Sequence, residues 1–248
     1  MNVFNNISIH PDNESDSIYL KLQYVAKRYY CIESKDRNID HTSFVALFQG
    51  LNPSFRDLLQ HDATEFLYAL IDSIDEDFKK CDVQRNIVIM SDAESFLPKL
   101  FEGKMESRSC CPNCLSRCQS QDLFHILLLK INSKINSVQD ALEQFTAIEH
   151  LDTHRCDECN EMSNKMKQMV ITEPPSNLIM SLKLFFNAIG SGGNKVQRKI
   201  EFDTTFHLRY SDGIAEYKLL AFTVHLGAFG SGHYIALIYD NGKWFKIQ

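Results

Sequence analysis

The sequence predicts an α+β fold built on an antiparallel sheet. Helical periodicity dominates the first third of the chain, and strand-like runs dominate after Gly103. The chain closes on Asn241-Gly242 set between two strand-like segments, which is a hairpin signature. Helices first and strands later argue against alternating βαβ units.

The elements follow in order. Residues 1–16 read as a polar arm, with neither the basic nor the apolar part of a secretory leader. In residues 17–30, Ile18, Leu22, Val25, Ala26 and Tyr29 share one helical face. Phe44, Leu47 and Phe48 mark a short second helix over residues 43–50, and Asn52-Pro53 marks a turn. The clearest helix starts at Asp62. Asp62 as N-cap with Glu65 three positions on is a capping-box pattern. Ala63, Phe66, Leu67, Leu70, Ile71, Ile74 and Phe78 then continue an apolar stripe towards Lys80. Strands are expected over residues 123–131, 178–186, 199–202 and 217–226, with a helix over residues 138–145. Residues 233–239 and 243–247 form the closing hairpin, and residues 187–194, with three of the ten glycines, read as a flexible loop.

At 248 residues the chain makes one large domain or two small ones. Its 26 Lys and Arg against 32 Asp and Glu give a net charge of -6, which argues against a nucleic-acid protein and suits a partner presenting basic residues. No apolar run reaches the roughly 18 residues of a membrane span. A reducing compartment, cytosol or nucleus, is expected.

Eight cysteines sharpen the reading: Cys31, Cys81, Cys110, Cys111, Cys114, Cys118, Cys156 and Cys159. Four of them form two C-x-x-C pairs, Cys111/Cys114 and Cys156/Cys159, with 41 residues between the pairs. Two such turns brought together would close a tetrahedral shell around a structural zinc ion. Cys110 and Cys118 flank the first pair and leave the choice of ligand open, while a full cysteine set makes His150 and His154 unnecessary.

Several segments together resemble the ubiquitin-specific protease family. Gln60-His61-Asp62-Ala63-Thr64-Glu65-Phe66-Leu67 is similar to that family's Q-H-D-A-x-E-F-L box. Phe101-Glu102-Gly103 followed by a C-x-x-C resembles the start of its fingers. Residues 177–185 resemble its L-x-L-K-R-F strand, with Leu184 where Arg is usual. Residues 217–227 and Gly232-His233-Tyr234-Ile235-Ala236 resemble its histidine box, and Trp244 opens the last matching strand. The resemblance implies a papain-like thumb, palm and fingers: thumb helices over residues 17–100, zinc-bearing fingers over 101–180, and a palm over 181–248. It implies a monomeric cysteine-type deubiquitinase that binds ubiquitin and ubiquitinated proteins and hydrolyses the bond after ubiquitin's C-terminal glycine.

Residue by residue, the resemblance makes His233 the general base. Its setting, at a strand start after a glycine-rich turn, supports that role independently. His225, eight residues upstream, reads as structural or as a loop contact. Gln248 stands at the third position of the triad, where Asp or Asn is usual. Gln60 and Asp62 would line the channel for ubiquitin's arginine-bearing tail, and Gly232, Tyr234 and the loops 187–194 and 226–232 would flank it. No cysteine stands where the family has its nucleophile. Cys31 and Cys81 fall near helix ends, where nothing lowers a thiol pKa. The expectation is an incomplete chain, inactive as it stands. A catalytically inactive ubiquitin-binding pseudo-deubiquitinase is the alternative, and a zinc-ribbon interaction domain unrelated to ubiquitin the third reading.

Overall fold

The computed structural model describes residues 16–31, 40–57, 59–84, 100–188, 192–228 and 231–247, without the side chains of residues 29–31, 81–84, 153–154, 186–188 and 192–194. The chain divides into two compact units, Met1–Pro98 and Lys99–Gln248.

The first unit is helical: α1 (Ile18–Cys31), α2 (Thr42–Leu51), a 3-10 turn (Pro53–Phe55) and α3 (Ala63–Gln84). The predicted apolar stripes meet here. Ile18, Phe44, Phe48, Leu70 and Ile74 form one buried cluster, with Phe55 and Phe66 packed on it. Ring contacts Phe48–Phe66 at 4.9 Å and Phe48–Phe55 at 5.2 Å close its end. The start of α1 is pinned to α3. Ser17 Oγ accepts from the Leu20 N–H and donates to Asp77 Oδ2 at 2.6 Å, and that carboxylate also accepts from the Tyr19 N–H. Among the described residues no helix is long and apolar enough to cross a membrane.

The second unit holds the strands. A four-stranded sheet runs in the order β2-β1-β5-β4, from β1 (Gly103–Cys110), β2 (Arg117–Phe124), β4 (Glu149–Arg155) and β5 (Met162–Glu173), all antiparallel. Between β2 and β4 come β3 (Ile126–Lys130) and α4 (Val138–Phe145). β3 pairs in parallel with β6 (Ile179–Lys183), the one departure from the antiparallel expectation among the described strand-to-strand pairs. β7 (Phe185–Ala188) pairs with β8 (Gly192–Lys195), β9 (Thr205–Tyr210) with β10 (Gly213–Lys218), and β11 (Ala221–Ala228), β12 (Ser231–Asp240) and β13 (Lys243–Ile247) form a meander.

The core of this unit packs α4 against strands. Leu127 and Leu129 of β3, Val138, Ala141 and Leu142 of α4, Ile171 of β5, and Phe206 and Leu208 of β9 are all buried. α4 carries a capping box: Ser137 Oγ accepts from the Asp140 N–H, and Asp140 Oδ2 accepts from the Ser137 N–H. Gly103 is required by packing, because a Cβ there would lie 2.6 Å from Phe124 Cε1 and 2.9 Å from Pro175 Cδ.

Four expected strands are corrected. Residues 199–202 form no strand. Glu201 instead makes an isolated bridge to Ser137 at the start of α4, with the Val138 N–H donating to the Glu201 carbonyl at 2.9 Å. The run 217–226 is two strands, β10 and β11, that break at Leu219 and Leu220 and join different sheets. The run 123–131 likewise divides at His125 between β2 and β3, and the run 178–186 at Leu184 between β6 and β7, which join different sheets. Of the loop over residues 187–194, residues 187–188 belong to β7 and 192–194 to β8, while 189–191 lie outside the described set.

Candidate functional site

The two C-x-x-C pairs form matching knuckles. In the first, the Leu115 N–H donates to the Cys111 carbonyl and the Cys111 N–H to the Ser116 carbonyl, each at 2.9 Å. In the second, the Asn160 N–H donates to the Cys156 carbonyl and the Cys156 N–H to the Glu161 carbonyl, again at 2.9 Å. The residue after the second cysteine of each pair is left-handed, with φ 61° at Leu115 and 59° at Asn160. The first knuckle joins β1 to β2 and the second joins β4 to β5. The β1–β5 pairing therefore brings them together, with Cys110 opposite Met166.

The sulfurs converge. Cys111 Sγ and Cys159 Sγ are 4.0 Å apart, Cys114 Sγ and Cys156 Sγ 3.7 Å, and all four ligand atoms lie within 4.8 Å of one another. Ser163, on β5, places its Oγ 3.5 Å from Cys111 Sγ. That hydroxyl first, and then the Cys114 backbone N–H, lower the Cys111 thiol to about 6. Cys114 moves the other way. The Ser116 backbone N–H lowers it, but burial and the neighbouring sulfurs prevail and push it up to about 12. Four cysteine sulfurs that converge in this way are set to hold a metal ion. Cys110 and Cys118 are outside the quartet: Cys110 Sγ contacts the Cys111 carbonyl, and Cys118 is exposed on β2. His150 lies on β4 opposite Met166, and the side chain of His154 falls outside the described residues.

The histidine box forms the β11–β12 hairpin. His233 is exposed on β12, opposite Leu226. One step towards the turn, Gly232 faces Gly227, whose φ is 125°. Both glycines are obligatory here. A Cβ on Gly232 would overlap His225 Nε2 and the Leu226 carbonyl, and one on Gly227 would come within 2.6 Å of Gly232 Cα. Tyr234 places its ring 4.8 Å from that of His225. Trp244, on β13, packs on Phe222 of β11 and Tyr239 of β12, at 5.4 and 5.3 Å. Gln248, the expected third member, lies outside the described residues, as do the side chains of Cys31 and Cys81.

Sequence reasoning missed Lys195. From β8 its Nζ donates to His225 Nδ1 at 3.0 Å, to the His225 carbonyl at 2.7 Å and to the Gly227 carbonyl at 2.9 Å. No motif marks it, because two of its three acceptors are main-chain atoms.

Gln60 and Asp62 belong to the helical unit. Gln60 is exposed. Asp62 Oδ1 accepts from the Thr64 N–H at 2.6 Å and more weakly from the Glu65 N–H at 3.4 Å, so Asp62 supplies the N-cap half of the expected capping box. Between them His61 bonds Asp57 at 2.6 Å and packs on Phe55, and this bond holds the Asp57 carboxyl below its usual range.

Comparison with known proteins places these features. A sequence profile described as ubiquitin carboxyl-terminal hydrolase matches residues 2–248. Ubiquitin carboxyl-terminal hydrolase 23 of Arabidopsis thaliana is 28% identical over 231 residues, which cover 87% of this chain and 26% of that protein. Ubiquitin carboxyl-terminal hydrolase 8 of Saccharomyces cerevisiae is 28% identical over 223 residues, covering 80% of this chain and 46% of that one. Among solved structures, the SAGA Ubp8/Sgf11/Sus1/Sgf73 module bound to ubiquitin aldehyde superposes with a TM-score of 0.75 at 27% identity, covering 96% of this chain and 55% of the matched chain. The chain thus spans about half the length, or less, of these relatives. With the profile running from residue 2 to residue 248 over both the helical unit and the histidine-box sheet, the chain belongs to the ubiquitin carboxyl-terminal hydrolase family.

Proposed function

We propose that the chain serves a cysteine-type deubiquitinase acting on the bond after ubiquitin's C-terminal glycine. The observation that carries this is the histidine box. Two glycines that tolerate no side chain shape a hairpin, and that hairpin presents an exposed His233 in the same sheet as Trp244, within a chain that the family profile matches throughout. His233 is the general base, able to take a proton from a thiol and return it to the leaving amine. Gln248 is the position from which a side-chain carbonyl would orient it. In the helical unit Gln60 and Asp62 serve ubiquitin's tail, the Asp62 carboxylate pairing with an arginine, and in the strand-rich unit Gly232 and Tyr234 are ubiquitin-binding positions. Residues 17–100 act as thumb, 101–180 as fingers and 181–248 as palm.

The thiol quartet holds zinc in this reading. Four Zn–S bonds of about 2.3 Å in a tetrahedron place sulfurs roughly 3.8 Å apart, close to the 4.0 Å of Cys111–Cys159 and the 3.7 Å of Cys114–Cys156. The ion's part is structural: it ties β1–β2 to β4–β5 and leaves the proton chemistry to His233. A reducing compartment, cytosol or nucleus, suits thiols kept free as ligands.

A calorimetric titration of the purified, zinc-loaded chain with mono-ubiquitin tests the proposal. Saturable one-to-one binding is expected, and no binding at high micromolar ubiquitin would sink it.

A further inference from the structure

We propose that Lys195 is a positioning residue that locks the histidine-box turn by fixing the tautomer of His225. A lysine ammonium has three protons and no acceptor. Here all three have partners: His225 Nδ1, the His225 carbonyl and the Gly227 carbonyl, at 3.0, 2.7 and 2.9 Å. Because Nζ can only donate, Nδ1 of His225 must accept, so the imidazole is neutral and carries its proton on Nε2.

That nitrogen is the atom a Cβ on Gly232 would strike. The ring is held in place from both sides, edge-on to Phe185 of β7 at 5.2 Å and tilted against Tyr234 of β12 at 4.8 Å. Lys195 also lies 5.8 Å from the Phe185 ring centre. One side chain from β8 therefore ties the β7–β8 hairpin to the end of β11, at the two carbonyls on either side of Leu226. Leu226 is the residue opposite His233. The Gly227–Gly232 pair carries no side chains, and the ammonium adds to the β11–β12 backbone pairing a hold on the Gly227 carbonyl.

The consequence for function rests on the reading of His233 and its flanking loops given above. With Lys195 in place, both glycine-bearing loops are anchored at their bases before ubiquitin's tail arrives. Without it, the binding-competent arrangement is a fraction of the population, and apparent affinity falls by that fraction.

The test has two readouts. Long-range 1H–15N correlation spectra of the 15N-labelled full chain, at mildly alkaline pH, report which ring nitrogen of His225 is protonated. Wild type should show the Nε2–H form alone. Lys195→Met should show a mixture of tautomers and bind ubiquitin about five- to tenfold more weakly, as a partly populated competent state requires. The exposed Lys199→Met should change neither. An Nδ1–H or mixed His225 in wild type overturns the lock, and that arm stands even where Lys195→Met fails to fold. A Lys195→Met variant with unchanged tautomer, or with unchanged ubiquitin affinity, overturns it as well. Wild type that shows the Nε2–H form but does not bind ubiquitin refutes the deubiquitinase reading instead, since the tautomer readout uses no ubiquitin.

Discussion

Asn113 Nδ2 donates to Glu161 Oε2 at 3.1 Å, so the tip of the first cysteine knuckle is bonded to the exit of the second. The two turns therefore approach in a defined register through protein contacts of their own, and the quartet is assembled as well as spaced correctly. One zinc per chain is the expected outcome of metal analysis. Cys111→Ser should lower that stoichiometry well below one. A purified chain already free of metal would contradict the assignment.

Metal affinity should depend on pH with a definite sign. Binding requires thiolates, so protons compete with the ion. The Cys111 thiol, held at about 6 by Ser163, ionises readily at neutral pH, whereas Cys114, pushed up to about 12, must release its proton to solvent as the metal binds. Affinity measured by chelator competition should fall steeply as pH drops through 6. Ser163→Ala should weaken neutral-pH uptake by raising the Cys111 thiol. An affinity flat from pH 5 to pH 8 would refute this.

Gly103→Ala should destabilise the strand-rich unit. Its new methyl would meet the ring of the buried Phe124 and the Pro175 ring together, so neither can yield freely. Overpacking of this kind costs about 1–3 kcal/mol, readable as a lowered urea midpoint. Gly50→Ala, where nothing lies within 4 Å of a Cβ, is the contrasting control.

The cap of α4 gives a second stability test. Ser137→Ala removes a side-chain acceptor from the Asp140 N–H and should cost about 0.5–2 kcal/mol. The Asn136 N–H first, then the Ser137 hydroxyl and backbone, hold the Asp140 carboxyl below its usual range. A lowered folded pKa means its contribution is present above the ordinary carboxylate value and lost as pH falls through the lowered one. The difference between wild type and Asp140→Asn should therefore shrink on acidification below pH 4. A constant gap would count against the assignment.

Asp62→Asn separates capping from recognition. Asn caps about as well as Asp but forms no ion pair with an arginine. The variant should keep its melting temperature and bind ubiquitin several-fold more weakly, a loss of about 1 kcal/mol or more, as expected when a charge-assisted hydrogen bond becomes a neutral one. Equal affinity would reduce Asp62 to its cap.

Much of this was legible because its signals are local. Asp62 and the stripe from Phe66 to Ile74 announce α3 by spacing and cap, and the knuckles announce themselves by C-x-x-C. β2 was not legible: of its eight residues only Phe124 is buried, so no alternation marks it. Residues 199–202 misled for the opposite reason. They read as a strand, but the Glu201 backbone is taken up by Asn136 and Val138 at the start of α4. Lys195 was invisible because its role depends on carbonyls some thirty residues away, which carry no side-chain signature.

The parallel β3–β6 pair has a kinetic consequence. These strands lie side by side, yet the chain between them leaves to make α4, β4 and β5 before it returns. Such a contact is expensive in chain entropy until the excursion is itself compact. Anything that gathers the excursion early shortens the effective loop. A metal clasped by Cys111, Cys114, Cys156 and Cys159 does so by joining its far portion back to β1. The ion would then act on the folding rate of the whole strand-rich unit, with zinc-loaded chains closing β3 on β6 faster than chains refolding in chelator.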